Sequence, residues 1–173
     1  MKSIKNTALL VAALLLSFNT ISQTTKDVVD LAAGSKEHTT LVQAINAADL
    51  VNTLKGQGPF TVFAPINNAF TKLPAGTLDN LLKPENKSTL AAILTYHVVA
   101  ANLNAKTILA AIKKGGGKAV LTTLAGGKLT ATIVKGKVVV TDEKGGQSNV
   151  TTTDLAATNG VIHVIDKVLL PQD

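Results

Sequence analysis

The sequence predicts one α+β domain, a β-rich sheet or small sandwich with helices packed at one side and end. Apolar residues recur with helical spacing through about residues 25–112, and from Lys118 the period changes to two. No linker separates these halves, and 173 residues suffice for one domain. The two halves are therefore expected to share one core.

The first half is expected to hold several short helices. One is predicted over Asp27–Ala33, where Gly34 closes it. Thr39 or Thr40 is expected to cap the next, because the apolar positions after them have the i, i+3, i+4, i+7 spacing of a buried helix face. Later helices are predicted over residues 74–82, 84–94 and 104–113.

A short buried strand is predicted inside this helical half. It covers Phe60–Ala64 and is stopped by Pro65, which has no backbone N–H to donate. Asn67 or Asn68 is expected to cap the short helix that follows.

The second half reads as strands. Segments rich in Val, Thr and Ile are joined by short Gly-containing turns that suit hairpins. A short strand over Asn149–Thr152 and a long apolar strand over Val161–Leu170 complete the set. The earlier strands are predicted over residues 119–124, 129–134 and 138–141.

The first 22 residues have the layout of a signal peptide. Lys2 and Lys5 precede an apolar run over residues 8–16, and Thr20 and Ser22 supply small residues before a cleavage point. The run is too short for a spanning helix, which needs about 20 residues. We therefore expect residues 1–22 to be removed and residues 23–173 to form one exported domain with no transmembrane segment, in the periplasm, at the cell surface or outside the cell.

The composition excludes several classes of site. The chain has no Cys, which excludes disulfides, a thiolate nucleophile and a zinc knuckle. His97 continues a helix face and His163 alternates with apolar strand residues, so each is interpreted as a hydrogen-bonded core histidine. His38 lies in a polar segment and indicates nothing. Without clustered carboxylates, these histidines predict no metal site, and no cofactor is expected.

The lysines are distributed unevenly. All 17 basic residues are Lys, and eight lie between Glu85 and Asp142, a stretch without an acid. They either keep the sheet edges soluble or form a face for an anionic polysaccharide or cell surface, with Lys113, Lys114 and Lys118 as candidates. Nucleic acid is not expected as a partner, because the few aromatic residues provide no stacking platform.

Two long segments carry a family resemblance. The segments Thr61–Phe70 and Asn159–Pro171, with the Tyr96-His97 pair between them, resemble the signatures of fasciclin domains over about residues 25–171. The positions of this chain that match the structural signature are Phe63, Pro65, Asn67, Phe70, Gly160 and His163.

This resemblance implies a wedge-shaped β-sandwich with a cluster of short helices. It also implies a secreted or surface protein that makes adhesion or matrix contacts with a protein or glycan partner and has no catalytic activity. Integrin-contacting segments of animal members correspond here to Tyr96, His97, Asp154 and Leu155. Leu155 stands where animals have Ile, so integrin binding transfers poorly, and Tyr96 and His97 are interpreted first as structural.

Two other functions stay open at this point. The chain could carry a small apolar ligand in the wedge, or it could be an enzyme acting on polysaccharide, with His97 or His163 as acid or base. No coiled coil or dimer motif is visible, and a monomer is expected.

Overall fold

The computed structural model describes residues 25–172. The predicted signal peptide, residues 1–22, lies outside them. In the described part the α-helices are α1 (Val28–Ala33), α2 (Thr39–Ala47), α3 (Val51–Leu54), α4 (Asn67–Phe70), α5 (Thr77–Leu81), α6 (Lys87–Tyr96) and α7 (Ala105–Lys114), and two 3-10 helices cover Lys36–His38 and Pro84–Asn86. The strands are β1 (Phe60–Pro65), β2 (Val98–Val99), β3 (Lys118–Thr122), β4 (Lys128–Val134), β5 (Lys137–Thr141), β6 (Gln147–Ala157) and β7 (Gly160–Ile165).

The strands follow the order β2-β1-β7-β6-β5-β4-β3. The early strand β1 and the last strand β7 are direct neighbours and run parallel, with Phe60 beside Gly160 and Pro65 beside Ile165. All the other pairs are antiparallel. The meander β3–β6 thus reaches β1 only through β7, and β3 lies at one end of the order.

Strand β6 belongs to both halves of the sheet. Its first residues, Gln147 to Asn149, pair with β5, whereas from Val150 onward it pairs with β7. The β6–β7 register shifts twice, between Val150 and Thr152 and between Thr152 and Leu155. Such bulges bend a strand, and β6 joins the two layers of the sandwich in this way.

The core has two parts, one on each face of β1 and β7. Val62 and Ala64 face the first part with α1, α2 and α6, while Phe63 between them faces the second. The second part lies among the inner faces of β3–β5 and the buried face of α7, including Leu129 and Ile112. Because successive side chains of a strand point to opposite faces, β1 contributes side chains to both parts of the core. The α+β sandwich with short helices is confirmed.

Two of the predicted helix starts are confirmed. The Asp27 carboxylate accepts from the backbone N–H groups of Val29 and Asp30, and Asn104 caps α7 at Thr107 N. Neither Thr39 nor Thr40 caps α2, since both lie inside that helix. That part of the prediction is wrong.

Strand ends differ from the prediction on both sides of the last hairpin. Strand β6 extends over Gln147–Ala157, well beyond the predicted Asn149–Thr152, and β7 stops at Ile165 rather than Leu170. Just after β7, the Asp166 carboxylate accepts from Asn149 N at 2.8 Å. Within residues 25–172 no helix has the length and apolar character needed to cross a membrane.

Candidate functional site

Tyr96 is a buried residue that links separate segments of the chain by hydrogen bonds. Its side chain is 0% exposed, its hydroxyl donates to the Lys128 carbonyl at 2.7 Å, and the same oxygen accepts from Glu143 N at 3.0 Å. Burial raises the pKa of the phenol. Tyr96 therefore fastens the end of α6 to the start of β4 and the loop after β5, and its side chain does not reach the surface.

His97 is likewise internal and has a defined tautomer. Nδ1 donates to the Ile93 carbonyl at 2.8 Å, and Nε2 accepts from Leu169 N at 2.9 Å. Burial lowers the pKa of His97 to about 4, against the smaller opposing effects of the Ile93 carbonyl and the Asp142 charge. The ring is neutral at neutral pH, and it holds the C-terminal segment against α6.

His163 makes the equivalent connection from β7. Its side chain is 0% exposed and stacks near Phe63, with ring centroids 5.7 Å apart. Nε2 donates to the Leu103 carbonyl at 2.7 Å, and Nδ1 faces Asp154 N at the longer distance of 3.4 Å. As with His97, both ring nitrogens form hydrogen bonds with main-chain groups. Proton transfer to or from a substrate would require these bonds to break.

Asp154 and Leu155 are adjacent in sequence, but their side chains contact different parts of the molecule. Asp154 has a left-handed backbone, with φ 60°, and its Oδ1 accepts from Ala105 N at 2.7 Å at the start of α7. Leu155 is 39% exposed and lines an opening beside α1. Of the four positions that correspond to animal contact segments, Tyr96 and His97 are buried, whereas Asp154 and Leu155 are exposed.

The three candidate lysines lie on either side of the turn between α7 and β3. Lys113 and Lys114 form the end of α7, a turn of three glycines follows, and Lys118 begins β3. All three side chains are exposed. We call these residues the lysine corner. The turn is tight, because a Cβ on Gly115 would lie 2.1 Å from the Lys118 carbonyl oxygen.

A shallow groove of about 400 Å³ runs beside the lysine corner. Its walls are Ala111 and Leu121, and Lys114 and Lys118 border it. Val120 adds an apolar side chain that is 59% exposed. The edge of the sheet thus offers positive charge and apolar surface in the same place.

Two other lysines of the 87–137 region have polar partners. Lys87 pairs with Asp49 at 3.2 Å, and the Lys128 ammonium donates to the Thr122 hydroxyl at 2.7 Å. Lys87 and Lys128 thus have polar partners of their own, whereas the lysine corner lies at the exposed turn between α7 and β3.

The signature residues lie in β1, in α4, which follows it, and in β7, the strand beside β1. Phe63 and Phe70 are buried in the two different parts of the core, and Pro65 ends β1. Asn67 does not cap its own helix, since it lies inside α4 and the N-cap is Ile66, so the predicted local cap is wrong. Gly160 lies against β1, where a Cβ would come within 2.0 Å of the Phe60 carbonyl oxygen.

His38 is the residue that sequence reasoning missed. The polar segment around it indicated nothing, yet the side chain is only 5% exposed. The signal was available only in three dimensions, because Ala64 and Ile162, which line the same cavity as His38, come from distant parts of the chain. Among the described residues, no cluster of three or more His, Cys, Asp or Glu side chains is placed to hold a metal ion.

Comparison with known proteins assigns this architecture. The model of the fasciclin domain matches residues 36–171. The chain belongs to the fasciclin domain family. A similar protein, sll1483 of Synechocystis sp., is 49% identical over 144 residues, which are 83% of this chain and 73% of that protein.

Larger animal fasciclin proteins contain the same domain as one part. Transforming growth factor-beta-induced protein ig-h3 of Sus scrofa is 39% identical over 83% of this chain, but the match spans only 19% of that protein. Among solved structures, the FAS1 domain pair of the insect cell adhesion molecule fasciclin I matches with a TM-score of 0.56 and 25% identity, over 73% of this chain and 43% of that one. The predicted fasciclin fold is confirmed.

Proposed function

We propose that this fasciclin domain is an exported, non-catalytic adhesion or matrix-contact module that binds an anionic glycan or protein surface through the lysine corner. The observation that carries the proposal is the meeting of three exposed lysines at the α7–β3 edge, beside exposed apolar Val120. Adhesion is also the role named for fasciclin I, which shares this fold.

The charge of the chain favours an anionic partner. The formal net charge is +6, and from Lys87 through Thr141 no acid offsets the lysines along the sequence. Positive surface raises the rate and strength of encounters with polyanions, and salt screens this attraction over about 8–10 Å. The neighbouring groove and Val120 would add contact that salt does not weaken.

Export rests on residues 1–22, whose lysines, apolar run and small residues have the order of a signal peptide. The absence of catalysis is proposed because the two histidines that an enzyme would use have their ring nitrogens occupied by main-chain groups. An enzyme acting on polysaccharide is therefore the weaker candidate, and failure of the wild-type protein to cleave extracted matrix polysaccharide would remove it.

The test is binding of the purified protein to its own cells and to extracted matrix polysaccharide across a NaCl series. The test variant is Lys113→Gln/Lys114→Gln/Lys118→Gln. The matched control, which loses the same charge from exposed positions in the helical half, is Lys26→Gln/Lys36→Gln/Lys83→Gln.

We expect saturable binding that weakens with salt, is lost in the test variant and is retained in the control. Equal loss in both variants would show that net charge alone matters, which contradicts the lysine corner as the site. Saturable binding that ignores salt and survives in the test variant would point to a protein receptor elsewhere. No binding at all would contradict the adhesion proposal.

A further inference from the structure

A second opening lies on the other side of the molecule, between α1 and the sheet. It has a volume of about 180 Å³. Leu31 and Ala32 of α1 form one wall, and Ala64, Leu155 and Ile162 of three strands form the other. The deep residues are almost fully buried, whereas Leu155 is exposed at the rim. The cavity is apolar inside and open at one end.

The polar side chains that line this cavity are those of Ser35 and His38. The Nδ1 of His38 is 2.9 Å from the Ser35 hydroxyl. The Nε2 of His38 is buried and has no hydrogen-bond partner within the described residues. The backbone carbonyl of Ala64, which also lines the cavity, is close enough to affect the pKa of the ring but does not meet hydrogen-bond geometry with Nε2.

Buried polar atoms in native proteins almost always have partners, so an orphaned nitrogen beside a cavity requires an explanation. Burial lowers the pKa of His38, and the ring is neutral at neutral pH. A neutral imidazole presents one N–H donor and one acceptor. Either tautomer gives Nε2 the capacity for one hydrogen bond to a hydroxyl group that enters the cavity.

We infer that this cavity binds a small neutral molecule with a single ring and one hydroxyl group, and that the hydroxyl bonds to His38 Nε2. The size fits, because an apolar cavity of about 150 Å³ in another protein takes up benzene. The ligand is neutral because a charged group would lose its hydration among apolar walls without a counter-ion. This site is separate from the lysine corner and does not depend on the proposed adhesion function.

The probes are p-cresol and toluene, which differ only by the hydroxyl group. A purely apolar cavity favours toluene, since the phenol must give up hydrogen bonds to water on entry. With His38 as partner, p-cresol is expected to bind at least about fivefold tighter, the equivalent of one ordinary hydrogen bond. Binding is followed by calorimetry and by the methyl NMR signals of Ala64, Leu155 and Ile162.

Two variants locate the site. His38→Phe removes the polar partner and is expected to reverse the preference towards toluene. Ala156→Phe fills the mouth of the cavity from an exposed position and is expected to abolish binding of both probes. Ala110→Phe, at an exposed position on α7, is the matched control and should bind as the wild type does.

The inference is overturned if toluene binds the wild type as tightly as p-cresol does. It is overturned too if neither probe shifts the cavity methyl signals. It is also overturned if Ala156→Phe and Ala110→Phe bind p-cresol equally. Should His38→Phe fail to fold, the ligand preference of the wild type and the Ala156→Phe result still decide.

Discussion

Asn67 belongs to α4, yet its side chain caps α2, which begins 28 residues earlier in the chain. Its Oδ1 accepts from the Thr40 backbone N–H at 2.9 Å, and its Nδ2 donates to the Lys36 carbonyl at 2.9 Å. One orphan donor at the start of α2, the Thr40 N–H, is thus satisfied from outside that helix. The signature asparagine fastens the corner after β1 to the helical layer.

Replacing Asn67 by Ala should lower the free energy of unfolding by about 1–2 kcal/mol, because the cap of α2 is lost and the Lys36 carbonyl loses its donor. Urea unfolding measures the difference. The neighbouring exposed Asn68 bonds only within its own turn, to Thr71, so Asn68→Ala is the control and should change little. Equal losses in the two variants would show that the cap across the fold contributes nothing.

Sequence reasoning succeeded where the cause of structure is local. The helix starts at Asp27 and Asn104, the end of β1 at Pro65 and the alternation of the later strands all depend on neighbouring residues. It failed where the partner is distant. Asn67 caps a helix other than its own, and the long β6 gains its pairs from β7 although residues 151–156 are exposed and lack an alternating apolar pattern.

The candidate site divides in the same way. The exposure of the lysine corner follows from a helix end, a glycine turn and the start of a strand, all of which the sequence indicated. The burial of Tyr96 and His97 depends on Glu143 and Leu169, which the sequence alone does not place nearby. The sequence did not indicate that His38 is buried, because the neighbouring residues of β1 and β7 are distant from it in the chain.

Gly160→Val should destabilise the fold by on the order of 3 kcal/mol. The cause is crowding rather than backbone strain, because Gly160 is not among the residues with positive φ and a Cβ would lie 2.0 Å from the Phe60 carbonyl oxygen. Gly34→Ala is the control, since the nearest atom to its Cβ is 3.3 Å away and its φ is −75°. Melting temperatures that fall alike in both would contradict the close approach of β1 and β7.

Stability should depend on pH through His97. Its pKa falls from 6.5 to about 4 on folding, so the unfolded chain binds the proton more readily. The contribution is fully present above about pH 6.5 and is lost as the pH falls towards 4, by about 3 kcal/mol in total. His38, whose pKa is also lowered by burial, acts in the same direction.

The check is urea unfolding between pH 7 and pH 4 for the wild type and for His97→Gln. The variant should be less stable at pH 7. It should also lose less stability on acidification, because glutamine at position 97 cannot take up a proton. Parallel pH curves for the two proteins would contradict a neutral, buried His97.

Substitutions at Asp154 should separate its backbone role from its capping role. Asp154→Asn keeps an oxygen for Ala105 N and tolerates the φ of 60°, so it should be nearly neutral. Asp154→Gly loses the cap but relieves the left-handed strain, whereas Asp154→Ala loses the cap and retains the strain. The expected order of stability is Asn, then Gly, then Ala, with Ala about 1–2 kcal/mol below the wild type. Thermal unfolding gives the order, and an Ala variant as stable as Asn would contradict both roles.

The most direct test of the adhesion proposal is lysine footprinting on the bound protein. The purified chain is acetylated with a lysine-selective reagent, free and in the presence of matrix polysaccharide, and each site is quantified by mass spectrometry. The account predicts strong protection of Lys113, Lys114 and Lys118, while Lys36 and Lys83 in the helical half react as in the free protein. Saturable binding with unchanged labelling of the lysine corner, or with protection confined to the helical half, would contradict it.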